Sequence, residues 1–134
     1  MDTVSPEQRS AIMARVKSHG TEPELKIRRL VWGLGYRYRL NDRRLPGRPD
    51  LLFPRLRKII FVHGCFWHQH SCPAAARPSA RSEYWNKKLE RNMLRDRKNL
   101  HLLRKDGWSI LVVWECQIRK LDNLTSRIVR FLET

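Results

Sequence analysis

The stretch KIIFVHGCFWHQHSC, residues 58–72, decides how this chain folds, because it joins an apolar run directly to a cluster of metal-binding side chains. Lys58 to Val62 is rich in β-branched and aromatic residues and carries no helix cap, which predicts a central β-strand. The strand ends abruptly, and the residues from Cys65 to Cys72 include two thiols and two imidazoles. We therefore expect a functional site at the end of this strand.

The thiols and imidazoles of this stretch, together with a third thiol at Cys116, predict a bound metal ion. Thiolate and imidazole are the ligands that tetrahedral Zn²⁺ prefers, and a site filled entirely by protein ligands is structural. Spacing alone leaves open whether His68 or His70 is the ligand, because both lie within reach. The alternative is buried free cysteines, since an odd number of thiols in a reducing compartment argues against a disulfide framework. Our assignment is a Cys₃His site made of Cys65, His70, Cys72 and Cys116.

The composition predicts one folded domain with a polyanionic partner. Within 134 residues, 28 Lys and Arg oppose 13 Asp and Glu, which gives a formal net charge of +15. A hydrophobic fraction of 41% with five Trp residues excludes a disordered basic tail, because such tails lack the apolar area to fold. The sequence has neither a membrane-spanning apolar run nor a secretory signal. We therefore expect a cytoplasmic protein, and a nucleoid-associated one if the polyanion is DNA.

The N-terminal segment predicts a basic helix. Ser5, Pro6 and Gln8 are typical of an N-cap, a first-turn proline and a capping-box partner, and the helix runs to about Lys17. Few of its residues are apolar, so we interpret residues 1–20 as a helical arm that contacts DNA. The alternative is a frayed, solvated terminus.

The remainder, residues 21–134, predicts an α/β domain with a central mixed sheet flanked by helices. Thr21 and Glu24 form a capping box, and the first helix of this domain ends at Gly33. Leu25, Arg28, Arg29 and Trp32 fall at helical spacing, so we expect a packed helix. The further predicted elements are strands at 36–40, 51–53, 58–62 and 109–114, a turn at 45–50, and helices at 81–105 and 121–132.

A second group of polar residues predicts phosphodiester hydrolysis. Asp50 starts a strand directly after the Gly47-Arg48-Pro49 turn, His63 ends the neighbouring strand, and His68 follows five residues later. One carboxylate near two imidazoles can hold Mg²⁺, polarise a phosphate and transfer a proton. The alternative is that Asp50 merely caps the turn, as an Asp after a proline turn often does.

Five motifs in order carry a resemblance to a known family. They are LPGRPD, IIFVHGCFWHQHSC, EYW, RNMLRDR and VVWEC, and they are spread over most of the range from residue 21 to residue 116. This set resembles that of the very-short-patch-repair (Vsr) endonucleases. The resemblance implies a core similar to that of the type II restriction endonucleases, whose Pro-Asp is followed by an acidic-x-Lys triplet on the next strand. Here the triplet is Phe61-Val62-His63, so the second acid and the lysine are missing, as in Vsr proteins.

The resemblance implies a role for each matching residue. Asp50 would bind a catalytic Mg²⁺, together with the main-chain carbonyl of Val62. His63 and His68 would be the catalytic histidines, with His68 as the general base. The residues that would assist them are Asp96, which orients His68, and Glu24, which lies near the water shell of the metal.

The resemblance also assigns the zinc ligands and the residues that contact DNA. Cys65, His70, Cys72 and Cys116 match the family's zinc ligands, which makes His70 rather than His68 the ligand. Phe66, Trp67 and Trp85 match the aromatic residues that wedge into the duplex beside a mismatch. Trp85 could instead pack in the core. The sequence departs from the family pattern at Val62, where a hydroxyl residue is common, and at residues 73–82, which match no motif.

The activity that the resemblance implies is mismatch nicking. The enzyme would bind a T:G mismatch in double-stranded DNA and hydrolyse the phosphodiester 5′ to the mispaired thymine. A single nick at an asymmetric lesion needs no two-fold dimer, so we expect a monomer. Two alternatives remain: a nicking or restriction-type nuclease that acts on another mismatch or site, and a non-catalytic, zinc-stabilised DNA-binding module.

Overall fold

The computed structural model describes residues 21–134, so the predicted arm at residues 1–20 lies outside the described residues. The described chain forms a four-stranded sheet with three α-helices. The helices are α1 (Glu22–Gly33), α2 (Ser82–Lys105) and α3 (Leu121–Glu133), and the strands are β1 (Arg39–Leu40), β2 (Leu51–Phe53), β3 (Lys58–His63) and β4 (Ser109–Trp114). Two short 3-10 helices, Pro73–Ala75 and Glu115–Arg119, were not predicted. None of the helices in this part of the chain is long and apolar enough to cross a membrane.

The sheet is mixed, as the sequence predicted. Its strand order is β1-β2-β3-β4, with β1–β2 and β2–β3 antiparallel and β3–β4 parallel. The parallel pair requires a crossover, which α2 supplies. Its register runs from Lys58 opposite Ser109 to His63 opposite Trp114, so β3 and β4 end at the same edge of the sheet.

Helices cover both faces of the sheet. Side chains alternate along each strand, so Ile60 and Val62 pack on one face while Ile59 and Phe61 pack on the other. The first face is covered by α1 and α3, and the second by α2. The buried helical residues that complete the two cores are Ile27, Val31, Leu124, Ile128 and Leu132 on the first face and Leu103 on the second.

The predicted turn at 45–50 leads into β2 and packs against β3. Gly47 has a φ of +78°, and a Cβ atom there would lie 3.2 Å from the ring of Phe61. Only glycine combines that backbone conformation with so close an approach. The turn therefore delivers Asp50 to the start of β2 while packing against β3.

The first helix is packed, as predicted, but its buried face is not made of the residues at the quoted helical spacing. Thr21 is its N-cap, but the Thr21 side chain makes no capping hydrogen bond. The buried residues are Glu24, Ile27 and Val31, whereas Trp32 is 53% exposed and lies under the guanidinium of Arg37. The helix presents a different stripe to the sheet because Glu24 faces inward, toward the candidate site.

The predicted strand at 36–40 is shorter than expected, since only Arg39–Leu40 pairs with β2. The alternation of aromatic and basic residues at 36–40 comes from aromatic packing and not from a strand of that length. Tyr36 and Tyr38 both make edge-to-face contacts with Phe53, with ring centroids 6.5 and 6.1 Å away. Aromatic packing therefore holds residues 36–38, whereas the backbone ladder holds only Arg39–Leu40.

Lys58, the first residue of β3, is a buried charge that anchors α3. Its Nζ atom donates to the carbonyl of Phe131 at 2.6 Å and to that of Leu132 at 3.1 Å. These carbonyls belong to the last turn of α3, where the helix dipole favours a cation. The contact joins the central strand to the end of the chain.

We expect Lys58→Met to lower the free energy of unfolding by about 2 kcal/mol, because it leaves two buried carbonyls without their charged donor. Urea unfolding followed by far-ultraviolet circular dichroism measures the change. Lys98→Met, at an exposed position of α2, is the matched control and should change stability by less than about 0.5 kcal/mol. Equal stability of the two variants would contradict the anchoring role.

Candidate active site

The parallel pairing of β3 and β4 brings two thiols together. Cys65 lies two residues beyond His63, and Cys116 lies two residues beyond its register partner Trp114. The two chains leave the sheet side by side, and the backbone N–H of Cys116 donates to the Sγ atom of Cys65 at 3.4 Å. Cys65 is buried and Cys116 is half-buried.

Cys72 and His70 complete this group, which we call the thiol cluster (Cys65, His70, Cys72 and Cys116). One ligand atom from each residue lies within 4.8 Å of the others. The Nδ1 atom of His70 is 3.4 Å from Sγ of Cys116 and 3.9 Å from Sγ of Cys65. Tetrahedral Zn²⁺ with bonds of roughly 2.0–2.3 Å separates its ligand atoms by roughly 3.3–3.8 Å. The donor types and spacing therefore fit a metal ion.

The electrostatics of the thiols agree with that fit. Burial, together with the neighbouring thiols, raises the pKa of Cys65 to about 12. Although burial opposes it, hydrogen bonds from Cys65 and from the backbone of Ala74 lower the pKa of Cys72. Three crowded thiols can ionise together only if a cation balances their charge, and a bound metal supplies that balance.

A second group, the imidazole cluster (His63, His68 and Asp96), lies at the same strand end. The rings of His63 and His68 stack with centroids 3.8 Å apart and planes 6° from parallel. Nδ1 of His68 is 2.5 Å from a carboxylate oxygen of Asp96 on α2. A proton on Nδ1, held by that carboxylate, leaves Nε2 as the ring nitrogen that can accept another proton.

His63 differs from His68 in its environment. It is 7% exposed, and burial lowers its pKa to about 3, with the charge of His68 adding to the effect. His63 is therefore a neutral imidazole throughout the physiological pH range. It can donate or accept one hydrogen bond, but it carries no charge.

A pair of carboxyl groups forms the third part of the site. Asp50 is 8% exposed and Glu24 is 5% exposed, and the two side chains share a hydrogen bond. A carboxylate oxygen of Asp50 also accepts the backbone N–H of Val62 at 2.6 Å. Burial, together with the charge of Glu24, raises the pKa of Asp50 to about 7, although the hydrogen bond from Val62 opposes the rise. When both of these buried acids ionise, their negative charges repel each other, and a bound divalent cation offsets that repulsion.

The structure relates these groups through β3. Asp50 binds the amide of Val62, and His63 is the next residue along the strand. Helix α1 supplies Glu24 to the carboxyl pair, whereas α2 supplies Asp96 to the imidazole cluster. The predicted catalytic residues are thus brought to one strand end from opposite layers of the fold.

The predicted DNA-inserting residues form one cluster of rings, which we call the aromatic cluster (Phe66, Trp67 and Trp85). The ring centroids lie 5.0–5.9 Å apart, and all three residues are half-buried. The ammonium of Lys88 is 5.3 Å from the Trp67 ring. Trp85 is therefore not a core residue, because it packs on two rings of the loop and keeps partial contact with solvent.

Sequence analysis missed one charged residue of the site, Arg28. Its guanidinium is 3.4 Å from the carboxylate of Glu24, one helical turn earlier, and its charge lowers the pKa of Asp50. Its Nε atom is buried and has no hydrogen-bond partner among the described residues. The spacing of Glu24 and Arg28, four positions apart on one helix, was the available signal.

Sequence comparisons with known proteins identify the family to which this chain belongs. The family model described as DNA mismatch endonuclease Vsr matches residues 1–74. The chain is 42% identical over 132 residues to the type II nicking enzyme V.XorIIP of Xanthomonas oryzae pv. oryzae, which covers 98% of this chain and 97% of that protein. It is 35% identical over 131 residues to the type II nicking enzyme V.NmeAIP of Neisseria meningitidis, covering 98% and 94%.

A third relative carries the family's own name. The chain is 40% identical over 117 residues to the DNA mismatch endonuclease Vsr of Escherichia coli, which covers 87% of this chain and 75% of that protein. Similarity at this level over nearly the whole length cannot come from a shared short motif. The chain belongs to the Vsr family of DNA mismatch endonucleases.

Proposed function

We propose that this protein is a Mg²⁺-dependent endonuclease that nicks one strand of DNA 5′ to the mispaired thymine of a T:G mismatch. One observation carries the proposal: an imidazole held by a carboxylate, His68 with Asp96, lies at the strand end where Asp50 and Glu24 form a buried acidic pair. A proton acceptor and a cation-binding pair at one place are what phosphodiester hydrolysis requires.

The acidic pair is the proposed Mg²⁺ site. Asp50 would bind the cation directly, and Glu24 would bind its water shell. In an antiparallel pair the N–H and C=O of one residue face the same neighbouring strand, so the carbonyl of Val62 faces the same side as the amide that binds Asp50. Mg²⁺ bound there would supply Lewis-acid stabilisation of the charge that develops on the phosphate.

The imidazole cluster is proposed to accept the proton that the attacking water loses. Nε2 of His68 accepts a proton from the attacking water, and Asp96 holds the ring in the required tautomer and stabilises the imidazolium that forms. His63 stays neutral and stacks on His68, so its N–H can bind a phosphate oxygen without competing for the proton. The two histidines thus have different roles because one is buried more deeply.

The thiol cluster is proposed to bind structural Zn²⁺, because all four ligand positions come from protein and none is left for a substrate. The ion would tie the loop after β3 to the end of β4. We also propose that the fold is similar to the type II restriction endonuclease core, in which a mixed sheet between helices carries an Asp at the start of a strand.

The aromatic cluster is proposed to enter the duplex at the mismatch. Half-buried rings that keep partial contact with solvent can stack on bases, at about 1–3 kcal/mol per base, and a mispaired step is easier to unstack than a matched one. Residues 1–20 would contact the flanking DNA, and the protein would act as a monomer. The relatives named as type II nicking enzymes favour one alternative, a nick at another mismatch or site.

Nicking assays on duplexes that differ only in one base pair test this function. With Mg²⁺ present, we expect the T:G duplex to be nicked 5′ to the thymine, and the matched duplex and other mispairs to be cut far more slowly. Asp50→Asn should reduce the rate by at least about 10²–10³-fold while leaving DNA binding intact.

The matched control is Asp106→Asn, since Asp106 is exposed, lies just before β4 at the end of the sheet opposite the site, and should keep full activity. Equal cutting of several mispairs would favour the alternative nuclease. Binding without cutting any duplex, with Mg²⁺ or Mn²⁺, would favour a non-catalytic module.

Zinc content tests the thiol cluster. We expect about one Zn²⁺ per chain, loss of zinc and of the folded structure in Cys116→Ser and His70→Asn, and retention of both in His68→Asn. Atomic absorption and circular dichroism report the two properties. Zinc retained by His70→Asn but lost from His68→Asn would exchange the two assignments.

The buried His63 predicts acid sensitivity. Its pKa is about 3 in the folded chain against the usual 6.5, so its contribution to stability is complete above pH 6.5 and declines as pH falls toward 3. Compared with His63→Asn, the wild-type protein should lose about 1 kcal/mol of unfolding free energy between pH 6 and pH 5. Urea unfolding at several pH values measures this difference, and parallel pH profiles would contradict it.

A further inference from the structure

The segment that follows Cys72 matches no functional motif, yet the structure gives one of its residues several partners. We propose that Arg77 of this segment and Gln69 of the preceding loop are positioning residues that hold the aromatic cluster in shape and thereby set discrimination between mismatched and matched DNA. We call this pair the brace (Gln69 and Arg77). The effect on discrimination rests on the proposed function, in which the aromatic rings enter the duplex.

Gln69 holds the loop from within. Its Nε2 atom donates to the carbonyl of Phe66 at 2.7 Å and to that of Ala75 at 3.1 Å. Its φ is 53°, a left-handed conformation that residues other than glycine rarely adopt. The side-chain contacts stabilise a sharp turn directly after Phe66 and Trp67, so the backbone that carries both rings depends on Gln69.

Arg77 ties that turn to α2. Its Nε donates to Oε1 of Gln69 at 2.8 Å, and its Nη1 donates to Oδ1 of Asn86 at 2.9 Å and lies 3.7 Å from a carboxylate oxygen of Glu90. The side chain is 32% exposed. A single surface pair contributes little to stability, but a planar guanidinium that bonds two elements at once fixes their relative position.

The brace connects the two halves of the aromatic cluster. Phe66 belongs to the loop that Gln69 holds, and Trp85 lies next to Asn86 on α2. The two rings are 5.4 Å apart, so the separation of loop and helix determines how the rings meet. Rings fixed before binding lose less conformational freedom when they enter DNA, which increases affinity wherever insertion occurs.

Three arginine variants test the brace. Arg77→Ala should raise the Kd for a T:G duplex about tenfold more than it raises the Kd for matched DNA, because a charge-assisted hydrogen bond is lost in addition to the surface charge. Arg77→Lys keeps the charge but lacks the planar fork, so it should lose the same tenfold preference. In both variants the single-turnover nicking rate at saturating protein should stay close to that of the wild type.

Arg81→Ala is the matched control, because it removes the same charge from the same segment, where Arg81 lies over the ring of Tyr84 and outside the brace. It should weaken binding to matched and mismatched DNA in equal proportion. Wild-type behaviour of Arg77→Lys would overturn the proposal, since Arg77 would then act only through its charge. An equal loss of matched and mismatched affinity in Arg77→Ala would overturn it too.

Hydrogen exchange separates the brace from the proposed function, because it needs no DNA. The backbone N–H groups of His68, Gln69 and His70 all bond within the loop. Their exchange should accelerate about tenfold in both Arg77 variants, because each variant loses one hydrogen bond of the brace. It should stay unchanged in Arg81→Ala, which keeps the brace. Unchanged exchange in the Arg77 variants would contradict the brace and leave the proposed function untouched. A wild-type protein with no preference for mismatched DNA would contradict the proposed function and, with it, the claim about discrimination.

Discussion

The parallel pairing of β3 with β4 is the constraint on which the rest of the structure depends. Its register, with His63 opposite Trp114, makes both strands end at one edge of the sheet. Equal offsets beyond those ends then bring Cys65 and Cys116 together, although 51 positions separate them in sequence. Lys58 at the other end of β3 is bonded to α3, so the strand that carries the site is held at both ends. The site geometry therefore follows from one strand pair.

The loop after β3 carries most of the chemistry in a few residues, and its backbone explains how. His68 and His70 are two positions apart, yet one ring pairs with Asp96 and the other lies among the thiols. The left-handed Gln69 between them turns the chain, so neighbouring imidazoles reach different partners. A loop made of thiols, imidazoles and aromatic rings has little apolar core of its own, which accounts for its dependence on bonds to β4 and α2.

Much of the fold could be predicted because local pattern determines it. The β-branched runs predicted β3 and β4, and the helices predicted at 81–105 and 121–132 are present as α2 and α3. Helical spacing could not predict the inward face of α1, because that face depends on the contact between Glu24 and Asp50, which are distant in sequence and which only the family resemblance placed near each other. Spacing could not choose between His68 and His70, since the choice depends on a single φ angle. Motif resemblance supplied roles for the site residues, and those roles stay predictions that the geometry supports.

A crystal structure of the protein bound to a T:G duplex, with Ca²⁺ in place of Mg²⁺, would show directly whether the acidic pair and His68 meet at the scissile phosphate. We expect a cation on the carboxylate of Asp50 and the carbonyl of Val62. We also expect Nε2 of His68 to face a water molecule in line with the phosphate 5′ to the thymine. A cation bound elsewhere, or a His68 ring turned away from that phosphate, would contradict this mechanism.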